Sequence, residues 1–291
     1  KNLKTEQSIN FGNVSEFEWQ DKGELLAMII DAENKAGNGV QLFDPVKGSL
    51  QVLDSKDSQY EGLNWRDKSD DLIVFRTEEN EDYEDDSFSV LTWKGLSSSS
   101  YQSLNFNHSK TSDFPQDYRI VDSNDSRWSM NGDVVFFKIF DRAKKPFEAV
   151  EEDEKPDSTI VKKEKEEAPD VEIWHSSDPV IIPAQKKSRK KSIKYPYWAS
   201  FNTKTGKFVQ LGDELTENVY LQEDSPVIIG TDATPYEFDG MFGRAKRDGY
   251  AIDISTGEKT KITTAAAHFY DVSPTGKHVV FAKDNQLFLK D

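Results

Sequence analysis

The sequence predicts an all-β protein made of repeated four-stranded sheets, and two observations carry that prediction. The first is the stretch Tyr270 to Asp291, YDVSPTGKHVVFAKDNQLFLKD, which reads as strand, turn, strand, turn, strand. Val272 ends the first strand, and Ser273-Pro274-Thr275-Gly276 has the chemistry of a tight turn: Pro presets φ and Gly accepts a positive φ. Val279-Val280-Phe281 is a short β-branched and aromatic run, and Leu287, Phe288 and Leu289 resume after a second turn at Lys283-Asp284-Asn285. The second observation is that this unit recurs upstream. Trp19, Trp65, Trp128 and Leu221 occupy the place of Val272, and the five anchors are separated by 46, 63, 93 and 51 residues. A small or turn-forming residue follows each anchor at the fourth position (Gly23, Ser69, Gly132, Ser225), and an apolar run follows that. A base period in the mid-forties with insertions is the spacing of β-propeller blades. A β-sandwich with similar hairpins is the competing fold; the length of the period and the recurrence of a whole unit weigh against it.

Taken in order, residues 1–13 form the tail of a preceding blade or a linker. The first blade covers about 14–54 and the second about 60–107. The third, about 118–213, carries a charged insertion at 142–194. The fourth spans about 217–264, and the fifth, 266–291, is incomplete. Three copies end in a later strand pair around a polar turn closed by glycine: Asp44 to Gly48, Asn202 to Gly206, and Ser255 to Gly257 after Asp253. The segment Glu78 to Asp86 is a dense acidic loop. Its spacing lacks the glycine and terminal glutamate of a calcium loop, so a solvated hairpin tip is expected. Glu148 to Glu167 holds nine acidic and four basic residues and is expected to be an excursion from the blade. Lys186 to Lys191 is expected to be a solvated basic loop. Tyr236 to Arg244, rich in aromatics and glycine, is expected to be a long hairpin loop packed on its neighbour.

Composition bounds the function. Fifty-three acidic against 37 basic residues give a net charge of −16, which argues against a general nucleic-acid binder. No cysteine is present, so disulfides, zinc ribbons and thiol nucleophiles are excluded. No apolar run approaches the ~18 residues of a membrane span. The chain starts at Lys1 without Met and stops at Asp291 within a blade, so a fragment of a longer polypeptide is expected.

Chemistry-bearing motifs are missing. There is no G-x-S-x-G elbow, no H-E-x-x-H and no Gly-rich phosphate loop before a helix. The four histidines, His108, His175, His268 and His278, show no metal-ligand spacing. Glu18, Asp122 or Asp271 could supply paired carboxylates for a glycosidase from inner strands, but among 53 acidic residues such candidates discriminate nothing. No catalytic residue, no cofactor-binding residue and no metal ligand is nominated in this chain, and no cofactor is implied.

Two features carry a family resemblance. The copy DVSPTGKHVVFAKDNQLFLKD resembles the repeats of bacterial TolB-like and WD-repeat-like propellers. It also resembles those of propellers in serine peptidases of the prolyl oligopeptidase and dipeptidyl peptidase IV type. Residues 170–185, DVEIWHSSDPVIIPAQ, resemble a segment in the propellers of large Bacteroidetes-type members of that peptidase family. The matching positions are Trp174, His175, Asp178, Pro179, Pro183 and Gln185, with Phe140-Asp141-Arg142 and Lys145-Pro146 in the preceding context. The resemblance implies a non-catalytic propeller that gates peptide substrates. Its catalytic partner would be a C-terminal α/β-hydrolase domain outside this chain, carrying the Ser, Asp and His. It also implies a bacterial periplasm or cell envelope. The alternative is a stand-alone TolB-like propeller serving as a protein-binding module; a carbohydrate-active propeller is a weaker third.

Overall fold

The structure, a computed structural model, describes residues 8–121, 123–145, 195–240 and 242–291. The strands of these residues form five antiparallel sheets, each built from consecutive strands in simple meander order. Blade 1 contains β1 (Val14–Trp19), β2 (Leu26–Ile30), β3 (Gly39–Asp44) and β4 (Ser49–Ser55). Blade 2 contains β5 (Tyr60–Trp65), β6 (Leu72–Glu78), β7 (Ser87–Lys94) and β8 (Gln102–Asn107). Blade 3 contains β9 (Tyr118–Val121), β10 (Arg127–Trp128), β11 (Val134–Asp141), β12 (Tyr197–Asn202) and β13 (Phe208–Gln210). Blade 4 contains β14 (Asn218–Tyr220), β15 (Val227–Asp232), β16 (Arg247–Asp253) and β17 (Lys259–Ala266). Blade 5 contains β18 (His268–Val272), β19 (Val279–Lys283) and β20 (Gln286–Lys290). Four-stranded meanders repeated along the chain and packed face to face are the architecture of a β-propeller.

The apolar runs follow from that stacking. A strand in the middle of a blade is covered on both faces, so it needs apolar residues at successive positions rather than at alternate ones. In β6, Leu72 and Val74 face blade 1, while Ile73 and Phe75 face blade 3; all four are fully buried. In β11, Val135 and Phe137 pack toward blade 2, and Val134 and Phe136 toward blade 4. The blade 2–3 interface is the most aromatic. Phe106 stacks on Phe201 at 4.9 Å, and Phe208 and Phe137 lie around them. Of the insertion expected at 142–194, residues 146–194, which include Trp174, His175 and the basic run 186–191, lie outside the described residues.

The turns repeat their chemistry. At the β3–β4 turn, Asp44 Oδ1 accepts from the N–H of Val46 (2.9 Å) and Lys47 (3.0 Å), and Gly48 takes φ +66°. Asn202 does the same for Lys204 and Thr205 before Gly206, and Asp253 for Ser255 and Thr256 before Gly257. A short polar side chain folds the backbone, and a residue without Cβ closes it in the left-handed region.

First strands are irregular. Register shifts interrupt the pairing of β1, β5 and β18 with their neighbours. In blade 3 the irregularity becomes a break: β9 and β10 both pair with β11, separated by a 3-10 turn at Ser123–Asp125. Asn124, Asp125 and Ser126 between the two pieces have the side chains that compete with strand hydrogen bonds, which accounts for the interruption.

One loop does more than expected and one differs. The acidic loop is an exposed hairpin tip between β6 and β7, as expected, but it is also pinned to the segment after β11. Tyr83 pairs with Lys144 as a β-bridge, Glu84 N–H donates to Ala143 O (3.0 Å), and Lys145 N–H donates to Asp82 O (2.9 Å). Cations pair with three of its carboxylates: Arg119 with Asp85 (3.2 Å), Lys35 with Glu79, and Arg76 with Glu78 (3.0 Å). The 236–244 loop folds back on its own blade rather than on a neighbour, with Tyr236 Oη donating to Asp248 (2.6 Å) on β16.

Candidate binding surface along the first strands

The first strand of blade 1 meets that of blade 2, and polar groups on or just after the first strands stitch the seam onward through the other blades. In blade 1, Glu16 accepts from the N–H of Gly62 (3.3 Å) and Leu63 (3.1 Å) of β5. Glu18 accepts from Trp65 N–H (3.3 Å), while the Trp65 indole donates to Glu18 O (3.1 Å). Asn64 then donates to Ser126 O (3.4 Å) and Arg66 to Met130 O (2.9 Å) of blade 3. Met130 N–H donates to Glu223 O (2.6 Å) of the next blade, and Gln222 both accepts from Val272 N–H (3.2 Å) and donates to Asp271. The irregular register of these strands frees the backbone N–H groups that such side chains need.

Burial pushes the Glu18 carboxyl above the usual carboxylate range, against the opposing pull of the Trp65 N–H. Glu18 and Asp271, two of the carboxylates considered for sugar chemistry, are thus occupied as acceptors between blades. Asp122 lies outside the described residues.

A cleft of about 400 Å³ opens where blades 2, 3 and 4 converge, at the ends of β5 and β10. Asn64, Arg66, Arg127, Trp128, Met130 and Glu223 are among its walls. Arg66 is held by Asp71 (2.9 Å), and Arg127 lies 4.0 Å from Glu223. Met130 is two-thirds exposed. Two polar atoms at this cleft, Trp128 Nε1 and Ser126 Oγ, are buried and have no hydrogen-bond partner among the described residues. Trp65 holds the corresponding place in blade 2 and does have its partner in Glu18 O; the break between β9 and β10 accompanies the loss of it in blade 3. No sequence signal marked this cleft, because its residues come from three repeats and share no spacing.

The histidines do not converge. His108 is buried between Ser87 and Ser109, His268 stands edge-on to Tyr270, and His278 pairs with Asp291. His175 lies outside the described residues. Among the described residues, no group of three or more His, Asp and Glu side chains is placed to hold a metal, and no helix is long and apolar enough to cross a membrane.

No family model matches the chain, and no curated protein matches it. Solved structures do. The β-propeller domain of the trilobed protease from Pyrococcus furiosus aligns with 95% of this chain and 67% of its own, at 10% identity and a TM-score of 0.38. TolB from Acinetobacter baumannii aligns over 95% of this chain and 50% of its own, at 13% identity and a TM-score of 0.31. The tricorn protease aligns over 97% of this chain at 11% identity and a TM-score of 0.39, and this chain spans only 25% of it.

Proposed function

We propose that this chain is a non-catalytic β-propeller region of a serine peptidase of the prolyl oligopeptidase type, gating peptide access to an α/β-hydrolase domain outside these residues. The observation that carries the proposal is the resemblance of the blade repeat and of residues 170–185 to propellers of that family. Three further features support it. The described residues bring together no nucleophile, base and orienting acid. The first-strand seam consumes its carboxylates in holding blades together, which suits a scaffold more than a reaction centre. The cleft bordered by Arg66, Arg127 and the exposed Met130 offers cationic and apolar wall to a peptide.

The test uses the native protein that contains this chain. It is treated with a fluorophosphonate probe, and the labelled mass and labelled residue are read by gel and mass spectrometry. Label on a species well above 33.2 kDa, at a serine outside residues 1–291, is the expected result. A native protein close to that mass and inert to the probe would overturn the proposal and leave a stand-alone protein-binding propeller as the account.

A further inference from the structure

At the other end of the blade 2 strands lies a second cavity, of about 500 Å³, between the β6–β7 loop, the β8–β9 connection and the end of β11. Its walls include Tyr83, His108, Ser109, Lys110, Phe114 and Arg142, and no Asp or Glu is among its lining residues. In a chain with a net charge of −16, a cavity lined by two cations and no carboxylate is a local reversal of sign.

The donors are arranged, not merely present. The Arg142 guanidinium stacks on the Tyr83 ring, 3.5 Å from its centroid, which fixes the plane of its N–H edge. Its Nε is buried and has no hydrogen-bond partner among the described residues. On the opposite wall, Ile120 N–H donates to Ser87 Oγ (3.1 Å), and the His108 ring sits between Ser87 Oγ (3.3 Å from Nδ1) and Ser109 Oγ (3.3 Å from Nε2). Ser109 lines the cavity, so its hydroxyl is a polar group there that can donate. Burial, with the Arg142 charge beside it, pushes the imidazole below its usual range.

We propose that this cavity binds a carboxylate, with the Arg142 guanidinium and Ser109 Oγ as its donors, Lys110 as a second charge, and Phe114 and Tyr83 as apolar walls for the group that bears it. A planar guanidinium is the side chain best matched to a carboxylate. The source is either a peptide C-terminus or a small free acid, and the proposal does not depend on the peptidase assignment.

The probes are N-acetyl-phenylalanine, its C-terminal amide and benzoate, titrated into the native protein that contains this chain by calorimetry and ligand-observed NMR. Expected is at least about tenfold tighter binding of the acid than of the amide, since only the acid makes charge-assisted bonds. Benzoate binding as well as the acid assigns the site to small free acids; the acid alone binding assigns it to peptide termini. Arg142→Gln is expected to weaken the acid about tenfold or more and Ser109→Ala about threefold. Equal binding of acid and amide, or no binding of any carboxylate, overturns the proposal. So does an Arg142→Gln chain that melts as the parent does and binds the acid unchanged. Should that variant unfold, Ser109→Ala and the acid-to-amide ratio of the parent decide the matter.

Discussion

Gly249 on β16 is where blade 5 meets blade 4, and one added methyl group tests that contact. A Cβ built on Gly249 falls 1.9 Å from Phe269 Cζ and 2.4 Å from Cε1, on a ring that is 94% buried. Gly249 is not in the left-handed region, so Ala is free of backbone strain there and the change probes space alone. Two terms oppose each other. Ala lowers the conformational cost of the strand by about 0.5–1 kcal/mol relative to Gly. Overpacking a filled interface costs about 1–3 kcal/mol, and expelling the ring altogether forfeits about 1.5–3 kcal/mol of Phe burial. The clash wins, and the net loss is about 0.5–2 kcal/mol. Because Phe269 leads the blade 5 core with Val272, Val279 and Phe281, the loss falls on that blade. The assay is hydrogen exchange by mass spectrometry: Gly249→Ala should lower protection in peptides covering β18–β20, by about tenfold for each 1.4 kcal/mol, and leave β5–β8 unchanged. Phe269→Leu should rescue part of it, so the double variant departs from additivity by about 0.5 kcal/mol or more. Unchanged or increased protection of β18–β20, or strict additivity, refutes the reasoning.

Three more outcomes are expected. Arg76, 8% exposed at its side chain, donates to Asp54 and Glu78 at 3.0 Å each. Arg76→Met should cost about 2–4 kcal/mol in chemical denaturation, less than for a fully buried triad because both acids keep some water, and Arg76→Lys should not restore it. Burial works to raise the Asp248 carboxyl, but Lys261, Tyr236 and the Ala265 N–H together hold it below the usual carboxylate range. Its contribution is therefore complete above an unfolded pKa of about 3.9 and disappears as pH falls through the lower folded value; Asp248→Asn should flatten the acid limb of the melting curve below about pH 4. Glu18 has the opposite sign: its raised carboxyl contributes fully below the unfolded value of about 4.3 and loses that contribution as pH rises through the folded one. Glu18→Gln keeps an acceptor for Trp65 N–H and should melt at pH 7 no lower than the parent, whereas Glu18→Leu, which lacks the acceptor, should melt lower.

What could be read from the sequence was whatever a single repeat contains. The turn at Ser273-Pro274-Thr275-Gly276, the apolar middle strands and the Asp/Asn turns closed by glycine are local, so neighbouring residues specify them. The split of the first strand in blade 3 was not anticipated, although the polar run after Val121 held the cause. The pinning of the acidic loop was out of reach for another reason. It depends on Arg119, Lys35 and residues 143–145, brought in from three separate places by the fold. Both cavities share that character. Their walls come from different blades, and Arg142 acquires its meaning only when stacked on Tyr83.

The anchors show what the repeat does energetically. Trp65 and Trp128 are 7% and 4% exposed because each packs into the interface with the blade before it. Trp19 holds the same place in its repeat and is 52% exposed; no described blade lies on that side. Identical local chemistry therefore yields a buried core residue or a surface one according to the neighbour alone. At the far end, Leu287 and Leu289 on the outer side of blade 5 are 69% and 68% exposed for the same reason. In a fold of this kind each blade draws its stability from the interfaces it shares, as a chain of nearest neighbours does. Blades 2, 3 and 4 have two such interfaces among the described residues, whereas blades 1 and 5 have one. Blade 1 recovers part of the difference by laying Phe11 across Phe43 at 5.1 Å and closing a small cluster over Leu26, Met28 and Ile30. Blade 5 has three strands and an outer face topped by Leu287 and Leu289, with no such cover in the described residues. The contact between Gly249 and Phe269 lies in the interface that blade 5 shares with blade 4, and so tests that nearest-neighbour term directly.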